Sequence, residues 1–354
     1  MYNIEKIDSE VLEASINRWN HIAKPIDGLG LFEGLISQVA AITRNVDAPI
    51  EKRAVLVMCA DNGVVAEGIS QSGQEVTAIV SENIANGVAS VNRMSKVAKA
   101  DVIAVDIGVA AELEGANLWH EKVMNGTRDF AVEPAMSETQ MIQAIEVGIA
   151  CVKRLSDEGY HMVALGEMGI GNTTTSSAII AALLQMDVEE VTGRGAGLTD
   201  EGLLHKITII EKALKLHGLV DVSKKTQYSK EFAYQTLCCV GGLDICGLVG
   251  ACIGGAIYHI PIVLDGLISG VSALLAERIC PNTKQYLLPS HLGKEPATCA
   301  IMKELGYEAS ITAKLKLGEG TGAVMLFPLL DMAKVVYDEN QTFTDIQVDD
   351  YKVF

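Results

Sequence analysis

Residues 317 to 323 read Leu317-Gly318-Glu319-Gly320-Thr321-Gly322-Ala323, ahead of an apolar stretch over 324–330. One carboxylate stands between two glycines. Missing Cβ atoms let backbone approach a ligand closely, and a carboxylate fixed there can accept a proton. A second Gly-flanked carboxylate lies in Gly166-Glu167-Met168-Gly169-Ile170-Gly171-Asn172-Thr173-Thr174-Thr175. Glu319 and Glu167 in one cleft suit general-base work, or stabilisation of a cationic transition state such as an oxocarbenium ion. A water-excluding cleft raises carboxyl pKa values towards useful basicity. The competing reading of each is a carboxylate that caps or closes a turn.

The same stretch carries Gly169 and Gly171, followed by Asn172 and Thr173 opening a helix. Free N–H groups and the positive helix end make such a start an anion site; an ordinary helix cap is the alternative. No Gly-Lys-Ser/Thr ends the run and it is not Gly-x-Gly-x-x-Gly, so a nucleoside triphosphate or dinucleotide is not favoured. Thr192-Gly193-Arg194-Gly195-Ala196-Gly197 is a second candidate phosphate loop. Arg194 and Gly195 belong to it, and Lys206 on the following helix can add positive charge. The alternatives are a surface arginine and a lysine on a solvated helix face. Gln74, in Ser70-Gln71-Ser72-Gly73-Gln74-Glu75-Val76-Thr77, suits a planar heterocycle or simply opens a helix. His291 can pack or cap near such a site, whereas His259 reads as core.

Elements that would position these residues follow from the apolar pattern. Strands are expected at 53–60, 101–107, 161–165, 261–264 and 286–288. The first is apolar throughout, as suits a strand covered on both faces. Helices are expected at 8–19, 30–45, 75–95, 137–155, 172–184, 200–216, 243–258, 266–278, 294–305 and 321–337. Ser137 with Gln140 forms a capping-box pattern, and Thr199 reads as a cap. Alternating strands and helices predict a parallel sheet with helices on both faces. Ligands of such sheets bind at the carboxyl ends of strands. The strand-end turns at Asp61, Asp106, Glu167 and Asp265 are therefore expected to converge.

The 354 residues suffice for one large or two unequal domains, with 49% hydrophobic and 5% aromatic content and 33 glycines. A net charge of -17 without a basic stripe speaks against a nucleic-acid partner. Small anionic substrates remain compatible with it. The eight cysteines form no Cys-x-x-Cys and mostly sit in apolar runs, which reads as buried thiols in a reducing cytosol. No His or Cys pair has zinc-site spacing, and the first ten residues lack an apolar signal core. A cytoplasmic protein is expected. Residues 245–264 lack Asp, Glu, Lys and Arg over transmembrane length. Their glycines, His259 and Pro261 favour a buried helix followed by a buried strand, so no membrane span is expected.

Taken together, the Gly166–Thr174 and Thr192–Gly197 runs, Leu264-Asp265-Gly266, Ser290-His291-Leu292 and Leu317–Ala323 occur in a familiar order. The chain resembles the nicotinate-nucleotide–dimethylbenzimidazole phosphoribosyltransferases, the CobT family, from about residue 24 to about residue 330. The resemblance implies transfer of the phosphoribosyl group of nicotinate mononucleotide to a cobamide lower-ligand base. Nicotinate leaves and C1′ inverts to an α-riboside phosphate. It implies Glu319 as general base, with Gly318 and Gly320 flanking it, and Glu167 as a second active-site carboxylate. It places Gly169, Gly171, Asn172, Thr173, Gly195 and Lys206 at or near the mononucleotide phosphate and ribose, and Gln74 at the acceptor base. It implies no metal and no cofactor. The implied fold is a Rossmann-like α/β domain (46–330) plus a small helical domain from both termini (1–45 and 331–354), in a homodimer. Some relatives attach phenolic acceptors as pairs of related chains, so a heterodimer with a paralogous chain is the alternative. Three stretches depart from the family pattern: Asn62 replaces its usual histidine, Ser72-Gly73 replaces a proline, and Lys24-Pro25-Ile26-Asp27-Gly28-Leu29-Gly30 differs in an early turn. Benzimidazole, purine and phenolic acceptors therefore all stay open. A nucleoside or mononucleotide hydrolase, and a non-catalytic partner subunit, are the competing readings.

Overall fold

The computed structural model describes residues 2–349 and 351. Six strands occur among them: β1 (Arg53–Ala60), β2 (Ala100–Gly108), β3 (Leu118–His120), β4 (Met162–Met168), β5 (Ile262–Leu264) and β6 (Leu287–Pro289). They form one sheet in the order β3-β2-β1-β4-β5-β6, with every pairing parallel. All six carboxyl ends therefore face one side. The strand order reverses between β1 and β4, which opens a crevice there. This is the expected doubly wound α/β architecture.

β1 is buried along its whole length. Ala54, Leu56, Met58 and Ala60 point into one core, and Val55, Val57 and Cys59 into the other. That period of two explains why the strand is apolar without alternation. Helices Glu138–Asp157 and Leu243–Tyr258 cover the first face. Their backbones touch through glycine: a Cβ on Gly148 would lie 2.0 Å from the Gly247 carbonyl oxygen, and one on Gly250 2.0 Å from that of Ile145. The charge-free segment 245–264 is thus a buried helix and strand. No helix among the described residues is long and apolar enough to cross a membrane.

The other face is covered by helices Glu75–Ala85 and Ser90–Ala98 and by elements from both chain ends. Helices Ser9–His21 and Leu31–Thr43 pack beside the last helix, Thr321–Glu339. The Trp19 and Tyr337 rings meet at a tilt of 52° with centroids 4.8 Å apart, and the Tyr337 hydroxyl lies 2.8 Å from the Val46 carbonyl and 2.9 Å from Ser15 Oγ. Tyr337→Phe strands these buried partners, and is expected to cost about 1–2 kcal/mol. Urea denaturation measures it, and an unchanged midpoint would contradict the assignment.

Some features depart from expectation. The helix predicted over 75–95 is two, because Gly87 takes φ +77° and Asn92 Oδ1 caps the second helix at the Ala89 N–H, 3.0 Å away. β3 spans three residues with no buried position, so it lacks an apolar signal. Helix Lys230–Val240, capped by Ser229, was not expected, and the helix predicted from 294 begins at Thr298.

Candidate active site

A cavity of about 340 Å³ lies over the carboxyl ends of β4, β5 and β6. Its size falls in the roughly 300–1,000 Å³ range of small-molecule sites. Glu167 on β4, Asp265 after β5 and His291 after β6 line it, together with the turn at Gly318 and Glu319. Of the four strand-end carboxylates expected to converge, Asp61 and Asp106 do not line the cavity. Asp61 accepts from the Ala110 N–H at 2.8 Å, and Asp106 accepts from the Val109 N–H at 2.9 Å. They tie the β1 and β2 ends to the neighbouring loop instead.

The two glycine-flanked glutamates are brought together by backbone contact. Gly318, Glu319 and Gly320 all have positive φ, at 85°, 59° and 88°. Such a run is cheap for glycine and strained for glutamate. The turn lies directly on β4: a Cβ on Gly166 would be 2.5 Å from the Glu319 carbonyl oxygen, and one on Gly318 would be 2.8 Å from Glu167 Oε1. Glycine at 166 and 318 is what lets the two acidic motifs meet. Glu319 Oε2 accepts from the Val91 N–H at 3.1 Å, in the first turn of helix Ser90–Ala98. That donor holds the carboxylate at the half-buried cavity wall and leaves Oε1 without a protein hydrogen bond among those described.

Glu167 Oε2 accepts from Asn172 Nδ2, whose second N–H goes to Asp244 Oδ2 at 3.0 Å. Asp265 Oδ1 accepts from the N–H groups of Gly322 and Ala323 at 2.8 and 3.1 Å, at the start of the last helix. His291 is wedged beside it, with Nδ1 3.0 Å from Ser290 Oγ, and burial lowers its pKa. Burial pushes the Glu167 carboxyl up to about 8, against the Asn172 donor and with help from the charges of Asp244, Asp265 and Glu319. Burial likewise raises Asp265 to about 7 and Asp244 to about 6, against their backbone and Asn172 donors.

These raised values have a stability consequence. Each folded value exceeds the unfolded value of roughly 4, so the folded state holds extra protons between the two. Their stabilising contribution is complete below roughly pH 4 and is lost as pH rises through the folded values. Glu167 acts at the upper end of that window, up to about pH 8. The ligand-free protein is expected to melt at lower temperature as pH rises from about 6 to about 8.5, and Glu167→Gln is expected to flatten that fall. Parallel slopes for the two proteins in calorimetry would refute it.

A buried cation lines the same cavity. Lys206 is 1% exposed, and its Nζ donates to Thr173 Oγ1 at 3.0 Å and to the Gly193 carbonyl at 3.1 Å. Burial lowers its pKa to about 8 while Glu295 opposes the shift. Lys206 thus joins the helix start at Asn172–Leu184 to the loop at Gly195, and all of these line the cavity. The solvated-face reading of Lys206 does not hold. Arg194 is exposed at the mouth and pairs with Asp200. Lys294 and Lys316, which sequence reasoning missed, also line the cavity. They sit in loops, where no periodicity marks a lysine as facing a ligand.

Gly169, Gly171, Asn172 and Thr173 also line the cavity, and Gly320 caps the last helix just behind it. Gln74 is not on the wall. Its Nε2 donates to the Asn62 carbonyl at 3.2 Å, and Gln71 lines the cavity in its place. Asp244 was missed because it is remote in sequence and enclosed. Its one signal was an acid in the first turn of an otherwise charge-free helix, after Gly241-Gly242.

A doubly wound sheet, two acids on glycine turns at its carboxyl edge and a buried lysine in the same cavity define an α/β group-transfer enzyme for small molecules. The family model described as "Phosphoribosyltransferase" matches residues 4–348, and the chain belongs to that family. A nicotinate-nucleotide–dimethylbenzimidazole phosphoribosyltransferase of Clostridium acetobutylicum is 39% identical over 349 residues, covering 99% of this chain and 97% of the relative. One of the same name from Roseiflexus sp. (strain RS-1) is 41% identical over 346 residues, covering 98% and 96%. The crystal structure of CobT from Thermus thermophilus superposes with a TM-score of 0.88 at 34% identity, covering 96% of this chain and 99% of that one.

Proposed function

We propose that this protein moves the phosphoribosyl group of nicotinate mononucleotide onto an aromatic acceptor of the dimethylbenzimidazole type. The products are nicotinate and an α-riboside 5′-phosphate. The observation that carries the reading is the contact between the Gly166-Glu167 and Gly318-Glu319-Gly320 turns, in the cavity that Lys206 also lines. The names of the relatives supply the substrates.

The phosphate lies against Lys206, Thr173 and the Gly195 loop, with the positive start of helix Asn172–Leu184 behind it. The bond from C1′ to the ring nitrogen of nicotinate breaks, and its electron pair returns to that nitrogen. The acceptor nitrogen, or a phenolic oxygen, bonds to C1′ from the opposite face. Glu319 takes the acceptor proton. Glu167 is largely protonated in the empty site, since burial holds it at about 8. A cationic nicotinate ring beside it favours its ionised form, so its negative charge is present when positive charge gathers at C1′. Position and electrostatics therefore do most of the work. A dimer, of two such chains or with a paralogous chain, is the assembly this reading carries with it.

The test is product analysis by mass spectrometry of the purified chain with nicotinate mononucleotide and a panel of benzimidazoles, purines and phenols. A riboside phosphate of one acceptor class with nicotinate released is the expected result, and it names the acceptor. Nicotinate released equally without any acceptor would make the protein a hydrolase.

A further inference from the structure

Asp244 is fully enclosed, with 0% exposure, and does not line the cavity. We propose that Asp244 is a positioning residue for the transfer: it locks the Asn172 amide, and through that amide the Glu167 carboxylate. This rests on the reading of Glu167 as an active-site carboxylate.

The geometry leaves the Asn172 amide one orientation. Both of its N–H groups are spent on carboxylates, one on Glu167 Oε2 and one on Asp244 Oδ2 at 3.0 Å. A flipped amide would turn its oxygen towards the Asp244 Oδ2 acceptor. Glu167 cannot impose this order alone, because it stands half-buried at the cavity wall. Asp244 can. Its Oδ1 accepts from the Ile245 N–H at 3.0 Å in the first turn of helix Leu243–Tyr258, where the peptide dipoles favour negative charge. Its oxygens fill space that two glycines leave open: a Cβ on Gly242 would lie 2.4 Å from Oδ1, and one on Gly169 2.6 Å from Oδ2. No ion pair to a cation is formed by Asp244 among the described residues. A buried carboxylate without one is costly, and this one touches neither solvent nor the cavity. Beyond the Ile245 N–H and the neighbouring Asn62 side chain, what it contacts is the amide that aims Glu167.

An isosteric amide cannot replace it. Asp244 accepts through both oxygens, from Ile245 and from Asn172, whereas Asp244→Asn supplies one acceptor oxygen and one N–H₂ group. One of the two donors then faces another donor. The Asn172 amide is released to turn, and Glu167 loses its fixed partner. The mononucleotide phosphate, held at Lys206 and Thr173, is not disturbed. The chemical step should suffer and substrate binding should not.

The experiment compares the full-length protein with Asp244→Asn, Glu167→Gln and the double variant in steady-state transfer. Asp244→Asn is expected to lower kcat by about 10- to 100-fold, the scale of misplacing a reacting group by about 1 Å. KM for the mononucleotide should stay within about twofold, and the double variant should be no slower than Glu167→Gln alone. A kcat within about twofold of wild type, or a double variant showing the product of the two single effects, overturns the proposal. Asn172→Ala removes the bridge while keeping Asp244, and covers the case where Asp244→Asn does not fold. It should show the same kcat loss without additivity to Glu167→Gln, and unchanged turnover overturns the proposal. The crystal structure of Asp244→Asn is a readout independent of activity. Loss of the Glu167–Asn172 hydrogen bond supports positioning, and its retention overturns it. If the wild-type chain transfers to no acceptor, the proposed function fails, and that structure alone decides the role of Asp244.

Discussion

Glu319→Gln is expected to lose about 100-fold in kcat while binding nicotinate mononucleotide nearly as well as the parent, since general-base catalysis contributes roughly 10²–10⁴-fold. The substitution is nearly isosteric, and its amide oxygen can still accept from the Val91 N–H that holds Oε2 at 3.1 Å. The turn from Gly318 to Gly320 therefore keeps its shape, and the positive φ of 59° at position 319 is no harder for glutamine than for glutamate. What is removed is the capacity to take the acceptor proton. The loss should accordingly be largest for acceptors whose proton is least acidic, and smallest for phenols already ionised at the assay pH. Steady-state transfer, paired with calorimetric binding of the mononucleotide, separates the two effects. Transfer persisting within about threefold, roughly 0.65 kcal/mol in the barrier, would remove Glu319 from the role of base.

Lys206→Met should weaken mononucleotide binding by about 10- to 100-fold, because a hydrogen bond to a charged group is worth about 1.5–3 kcal/mol. Lys206 is 1% exposed, so it cannot be replaced by bulk water or by a neighbouring cation that swings in. Arg194 is already paired with Asp200 at the mouth. The substitution also strips a donor from Thr173 Oγ1 and the Gly193 carbonyl, so some stability is lost with it. The discriminating control is the dephosphorylated nicotinate riboside. A phosphate ligand predicts that affinity for the nucleotide falls while affinity for the riboside barely changes. Equal losses for both would make Lys206 a purely structural strut.

The two predictions address residues of unequal legibility. Glu319 announces itself by its glycine neighbours, because a left-handed backbone run has a compositional signature. Lys206 sits on a helix whose sequence allows an exposed lysine at that position. Only the packing of helix Asp200–Leu216 against the Asn172 helix shows that it turns inward. Local rules succeeded where the determinants are local. Thr199 caps one helix and Ser137 with Gln140 forms a capping box on another, and β1 runs over the residues its apolar run indicates. They failed where a partner elsewhere in the chain decides. β3 exists because β2 offers it a ladder; helix Lys230–Val240, by contrast, has a Ser229 cap and buries Phe232, Ala233, Thr236, Leu237 and Val240 at helical spacing, a local signal that was missed.

By itself the sequence determined the alternation of strand and helix, the glycine turns and the two acids they carry, because each is written in neighbouring residues. The tertiary structure alone decided that Glu167 and Glu319 share one wall while Asp61 and Asp106 do not. It alone placed Asp244 behind Asn172 and Lys206 beneath Thr173. The physical reason is the parallel sheet. It gathers the ends of strands that are distant in the chain, and strand order, which no local pattern encodes, selects which of those ends face the same crevice.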